Sequence, residues 1–268
     1  MTDGQNEVAV NESGTSVMPT LKRRTVATIT NFVQPKELFQ LVTGKTRNYQ
    51  MLSDTYICRD RALMAGCFLT GGRISPIVGD YKYKTVNGKT VKVGKYDGMC
   101  RSNLTITDDY ILFRNLEVGK RTERMLKKYG EQVGRRDDFI APLKPGLHTN
   151  KYYDQLVPFS WLLLDYVKNY APAHEELLPM SRNWAWTLIS EITGQFPHWF
   201  RAQCEDFFAN YIFKDSVLLA KFMKVDPKQT ARYIRFDWRA GLTEQMQPMD
   251  FDWIQVETEK LKQRVLRA

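Results

Sequence analysis

A phenol, two guanidiniums, an imidazole and an amine, spread over three segments, are the side chains in this sequence best suited to chemistry. The first segment, Ala62 to Gly79, reads ALMAGCFLTGGRISPIVG and holds Arg73. The second is Phe196-Pro197-His198-Trp199-Phe200-Arg201. The third is Phe222-Met223-Lys224, and nine residues after Lys224 stands Tyr233, in Ala231-Arg232-Tyr233-Ile234. A tyrosine ordinarily loses its proton near pH ~10, so a phenol nucleophile at neutral pH needs a strong local positive field. Arg73 and Arg201 suit that task, because each guanidinium stays charged and can fork onto phosphate oxygens. Cleaving a phosphodiester asks for such a set: a nucleophile in line with the leaving oxygen, and positive charge where the transition state gathers negative charge. Taken singly, each of these residues reads as surface charge or packing, and Tyr233 is one of 13 tyrosines. Their joint order and spacing set them apart.

The elements that must position them are mostly helical. Pro35-Lys36-Glu37-Leu38-Phe39 marks a helix start, with proline in the first turn. A helix from Thr55 to Thr70 buries Ile57, Ala62, Leu63, Ala65 and Phe68, and Gly71-Gly72 stops it just before Arg73. From Tyr81 to Leu143 the pattern changes. Val86-Asn87-Gly88 suits a tight turn, while Leu104–Thr107, Tyr110–Phe113 and Phe139–Pro142 read as strands. Between the last two lies the basic stretch from Lys120 to Arg136, read as an exposed hairpin or loop. Helical patterns return at Trp161–Tyr170, at Arg182–Ile192 with Ser181 as cap, at Phe200–Tyr211 and at Ser216–Met223. Asp226-Pro227 opens a helix carrying Tyr233, and Phe251–Ala268 forms a last, charged helix. Trp199, Phe200, Phe207 and Phe208 belong to the core rather than to base stacking. The expected class is α+β, mainly helical with a small antiparallel sheet: a polar, basic tail over residues 1–34, one mixed domain over 35–245 and a terminal helix over 246–268.

The three segments resemble the catalytic domain of the tyrosine recombinases, the family of phage integrases and Xer-type resolvases. Thr70 to Ser75 match its TG-x-R-[IV]-S pattern around Arg73, and His198 with Arg201 match its H-x-x-R motif. Lys224 stands where the family has His, Lys or Trp, nine residues before the nucleophilic tyrosine. The resemblance covers roughly residues 35 to 240 and is closer to archaeal and phage branches than to bacterial resolvases. It implies that Tyr233 attacks DNA and forms a 3′-phosphotyrosyl bond, and that Arg73 and Arg201 hold the phosphate. His198 then acts as acid–base partner or hydrogen-bonds the phosphate, and Lys224 donates to a non-bridging oxygen. It also implies a general-acid lysine on a β-hairpin after the first arginine. Lys120 fits that place, with Lys127 and Lys128 as rivals. The sequence departs from the family in two ways. Pro76 stands where a carboxylate usually follows the serine, leaving Asp80 or another acid to substitute, or Arg73 to be held differently. Most family members also carry a core-binding domain before the catalytic one, where only about 35 residues stand here. The expectation is either a separate catalytic fragment or a minimal recombinase that grips DNA with one domain.

Composition agrees with a nucleic-acid partner. Lys plus Arg number 39 against 30 Asp plus Glu, a net charge of +9 with a pI near 9.3, and such a surplus favours polyanions through counterion release. Cys58, Cys67, Cys100 and Cys204 form no CxxC pair, and with three histidines they indicate reduced thiols rather than a zinc site or disulfide framework. Neither cofactor nor metal is expected, no apolar run reaches membrane-spanning length, and the expected place is the cytoplasm, with the nucleoid or in a virus's host. By the resemblance, the partners are double-stranded DNA and three further copies in a DNA-bound tetramer. The competing readings are a type IB topoisomerase-like activity and a DNA-binding or architectural protein that has lost cleavage.

Overall fold

Thr70 shows how the sequence builds the centre of the molecule. Its hydroxyl donates to the carbonyl of Gly66 at 2.6 Å and accepts from the amide of Gly72 at 3.0 Å, so one side chain closes the helix that precedes it. Gly71 then takes a left-handed conformation (φ 55°) that ends the helix. The computed structural model describes residues 32–267, save 45–52, 87–88, 97, 119–126, 128–129, 131–133, 136–137, 174, 214 and 226–248. Eight α-helices are described: α1 (Pro35–Gly44), α2 (Asp54–Thr70), α3 (Ile74–Val78), α4 (Val157–Asn169), α5 (Arg182–Thr193), α6 (Pro197–Phe207), α7 (Ser216–Met223) and α8 (Asp252–Arg267). Five strands accompany them: β1 (Asp80–Val86), β2 (Lys89–Tyr96), β3 (Leu104–Ile106), β4 (Tyr110–Phe113) and β5 (Phe139–Pro142).

Helix α2 is the centre of the packing. Every residue from Ala62 to Thr70 is buried, because α4 covers one side and α6 another. An apolar surface on all sides is what a helix within a core requires. Its Phe68 meets Phe159 of α4 with ring centroids 4.7 Å apart and Phe207 of α6 at 5.9 Å. Such aromatic pairs add roughly 0.5–1.5 kcal/mol each beyond the area they bury. Helix α4 is likewise buried from Val157 to Val167, and α8 lies along it. The last helix folds back on its own domain. There Trp253 sits beside Phe39 at 5.2 Å, and its indole N–H donates to Gln155 at 3.2 Å.

The sheet expected from three short strands forms in the order β3-β4-β5, antiparallel throughout, with Tyr110 opposite Pro142 and Phe113 opposite Phe139. The mainly helical α+β architecture with a small antiparallel sheet therefore stands. Helix α3 and strands β1 and β2 were not read from the sequence. Helix α3 is only five residues long and holds Pro76 in its first turn, too short for a periodic signal. β1 and β2 form a separate two-stranded ribbon whose register pairs Val86 with Lys89, consistent with the expected tight turn, although residues 87–88 themselves lie outside the description. The stem of the expected basic hairpin is paired, through a bridge between Glu117 and Arg135 and a 2.9 Å bond from the Val118 amide to the Gly134 carbonyl.

Candidate active site

The H-x-x-R motif lies in the first turns of α6. Pro197 opens that helix, where its missing N–H costs nothing, and Phe196 caps it in an extended conformation. Nearly every α6 position is buried, so Arg201 is driven inward with only 3 % of its surface exposed. A buried guanidinium must find acceptors. Arg201 donates from Nη1 to the carbonyl of Gly71 at 2.5 Å and of Val118 at 3.0 Å, and from Nη2 to the carbonyl of Met223 at 2.9 Å. The first of these carbonyls is two residues before Arg73, the second two before Lys120, and the third immediately before Lys224. One side chain thus fastens the three backbone stretches that carry the other candidates.

Gly71 is essential to that junction. A methyl group there would lie 2.8 Å from Sγ of Cys204 on α6 and 3.0 Å from Sδ of Met223 on α7, besides the strain of its positive φ. Arg73, half-buried, is the N-cap of α3, and Ser75 in that helix donates to Asp80 at 3.1 Å. Asp80 also receives Arg182 of α5 at 3.4 Å. The carboxylate that follows the arginine segment is therefore engaged by Ser75 and Arg182, which fix the backbone around Arg73. On the far side, Asp215 caps α7 by accepting from the Val217 amide at 2.7 Å, and α7 ends at Lys224 in a left-handed conformation (φ 49°). Few non-glycine residues adopt that geometry.

The electrostatics follow from the burial. Desolvation, then the charges of Arg201 and Arg73, push the His198 imidazole down to about 4. The imidazole is thus neutral at physiological pH, not the cation it would be as a third positive charge; a neutral ring offers one donor and one acceptor nitrogen. One turn beyond Arg201, Glu205 is 3 % exposed, its Oε1 without a hydrogen-bond partner. Burial pushes its carboxyl up to about 7, with Arg201 pulling the other way. Sequence reasoning missed Glu205, although its R-x-x-x-E spacing puts both groups on one face of a helix.

No family model, curated protein or solved structure matches this chain. The arrangement of residues is what bears on function. Of the six candidates, Arg73, His198, Arg201 and Lys224 lie on segments brought to one place, and the backbone leading to Lys120 joins them through Val118. Tyr233 and Lys120 themselves, with the rival Lys128, lie outside the described residues; the other rival, Lys127, is exposed. Trp199, Phe200, Phe207 and Phe208 are all core residues, as expected, and Cys67 is fully buried. A group of histidine, cysteine or carboxylate side chains able to hold a metal ion does not occur among the described residues, nor does a helix long and apolar enough to cross a membrane.

Proposed function

We propose that this chain breaks and rejoins DNA strands by the chemistry of the tyrosine recombinases. The Tyr233 oxygen attacks the phosphorus, the bond to the 5′-oxygen breaks, and a 3′-phosphotyrosyl link keeps the energy for religation. Arg73 and Arg201 supply positive charge to the phosphate, and Lys224 donates to a non-bridging oxygen. Neutral His198 accepts a proton or hydrogen-bonds the phosphate, and Lys120 protonates the departing 5′-oxygen. Strand exchange on this scheme uses four copies on duplex DNA.

The observation that carries the reading is the bonding of Arg201 to the carbonyls of Gly71, Val118 and Met223, which joins motifs far apart in the chain at one point. A nicked suicide duplex tests it. Wild-type protein is expected to become covalently attached to DNA and Tyr233→Phe to form no adduct; equal behaviour of the two would remove the enzymatic reading. The same three bonds also favour a second reading. They engage donors that a phosphate would otherwise use, as in a DNA-binding protein that has lost cleavage. Salt-dependent duplex binding by wild type with no adduct selects that alternative.

A further inference from the structure

Three polar side chains follow one another along one face of α6. His198, Arg201 and Glu205 are spaced three and four residues apart, so imidazole, guanidinium and carboxyl share that face with the guanidinium in the middle. Both neighbours feel it. The charge of Arg201 holds the His198 imidazole down and pulls against the burial that raises the Glu205 carboxyl. The scheme above gives work to the first two groups and none to the third.

Glu205 is buried to 3 % exposure, and its Oε1 accepts no hydrogen bond, whereas Arg201 beside it is bonded to three carbonyls. A carboxyl in that position is costly while charged, and a proton removes the cost. Among the described residues, the charges that reach it are those of Arg201 and half-buried Asp206, both on α6. Helices α2 and α5 and the π-helix Phe208–Phe213, which pack against α6, add none. Arg201 is the cation of this set that favours the ionised carboxyl. An anion that draws on the same guanidinium therefore competes with the charge of Glu205.

We propose that Glu205 is the proton-exchanging counter-charge of Arg201: a DNA phosphate arriving at Arg201 drives a proton from solvent onto the Glu205 carboxylate. The inference rests on the reading that Arg201 meets a DNA phosphate, and adds to it a residue that acts through Arg201. One negative charge is removed as another arrives, so the charge balance around the guanidinium is kept.

The sign follows from the burial. The Glu205 carboxyl is pushed up to about 7 in the free protein, and a phosphate nearby raises it further. At lower pH the proton is already in place, and DNA binds without exchange. At higher pH the protein must take up a proton to bind, so affinity falls as pH rises, by at most about tenfold per pH unit. His198, pushed down to about 4, is already neutral across this range. The competing role for Glu205 is packing: a protonated side chain fills its place in α6 with or without DNA. That role moves stability with pH and leaves DNA affinity alone.

The test measures binding of the full chain to a fluorescent mixed-sequence duplex from pH 6 to 8.5 at fixed salt. Wild-type affinity is expected to fall about threefold to tenfold per pH unit above about 7, and Glu205→Gln, of the same shape but unable to ionise, should lose that dependence. Calorimetry in buffers of different ionisation enthalpy gives a second readout. At pH 8 the wild type should take up about half a proton to one proton more than Glu205→Gln on binding. Should the variant fail to fold, infrared difference spectra of the wild type replace it: a protonated-carboxyl band is expected to grow when DNA is added at pH 8. Parallel pH profiles, equal proton uptake or a carboxyl band that does not grow would overturn the exchange while leaving the cleavage reading standing. A wild type that does not bind duplex DNA overturns both.

Discussion

Two arginines hold distant parts of this molecule together, and they do so through different acceptors. Arg264 of α8 reaches the Asp165 carboxylate of α4 at 3.2 Å and Sγ of Cys58 on α2 at 3.1 Å. Asp165 is 2 % exposed, and its charge cancels that of the guanidinium. Burial, followed by the nearby carboxylate, pushes the Cys58 thiol up, so it stays protonated and donates to Asp165 at 3.7 Å. Arg201 instead donates to the backbone carbonyls of Gly71, Val118 and Met223. A neutralised arginine serves as a clasp for the last helix. Arg201, bonded to backbone carbonyls, fastens the fold, and its charge is felt by His198.

Removing each arginine should separate these roles. Arg201→Met strands three carbonyls in the core, each costing about 1–3 kcal/mol, so a stability loss of about 3 kcal/mol or more is expected in urea denaturation. Arg201→Lys should restore only part of it, because an ammonium lacks the planar fork. Unchanged stability would mean that the three bonds do not hold the fold. Arg264→Met leaves Asp165 charged and unpaired. The expected loss is about 2 kcal/mol, less than for a fully buried pair because Arg264 is partly solvated. Adding Asp165→Asn should recover most of that loss, and DNA adduct formation should survive in both variants. If Arg264→Met abolished the adduct at temperatures where the protein is folded, the contrast between clasp and site would fail.

Burial beside Arg201 also predicts two pH dependences of opposite sign. His198 falls from an ordinary 6.5 to about 4, so between those values the unfolded chain binds a proton that the folded chain does not. Stability then rises with pH. Glu205 climbs from 4.5 to about 7, so in that window the folded chain keeps a proton that the unfolded chain has lost, and stability falls as pH rises. Each limiting slope is at most about 1.4 kcal/mol per pH unit, and the two nearly cancel between pH 4.5 and 6.5. Wild-type stability should therefore be almost flat there. His198→Gln should expose the falling limb and Glu205→Gln the rising one, both measured by urea denaturation across that window. Parallel slopes in the two variants would show that these groups do not titrate as their burial implies.

What could be read from the sequence was what local chemistry writes directly. Gly71 after Thr70 announced the end of α2, Ser181 caps α5 by accepting from the Trp184 amide at 3.1 Å, and the three short β-rich runs became β3, β4 and β5. The boundary of α6 was placed too late, at Phe200, because its apolar pattern begins after the proline that opens it. What could not be read depends on long-range contact. Neither the carbonyls that receive Arg201 nor the tie between Asp80, Ser75 and Arg182 carries any local mark, since backbone acceptors have no sequence and the partners lie far apart. The ribbon went unread although Tyr81-Lys82-Tyr83-Lys84 alternates at the strand period. The motif residues were legible as types at intervals, and the convergence of the segments carrying Arg73, His198, Arg201 and Lys224 was visible only in the fold.

The smallest expected effect concerns Lys224, where the site's geometry and the stability of the chain pull apart. Its left-handed backbone ends α7, with its amide donating to the carbonyls of Ala220 and Lys221, a conformation that costs an ordinary residue about 1 kcal/mol. Glycine removes that cost but adds entropy to the unfolded chain, so Lys224→Gly should stabilise the protein by about 0.5 kcal/mol. If the amine serves the phosphate as proposed, the same variant should form the DNA adduct more slowly. Lys224→Asn, which tolerates the conformation and lacks the amine, should be slowed as well. A residue selected only as a helix cap would give the same gain in stability on glycine substitution but leave adduct formation untouched. Measuring the unfolding midpoint and the adduct rate on the same three proteins therefore distinguishes a strained backbone retained for chemistry from one retained by accident of packing.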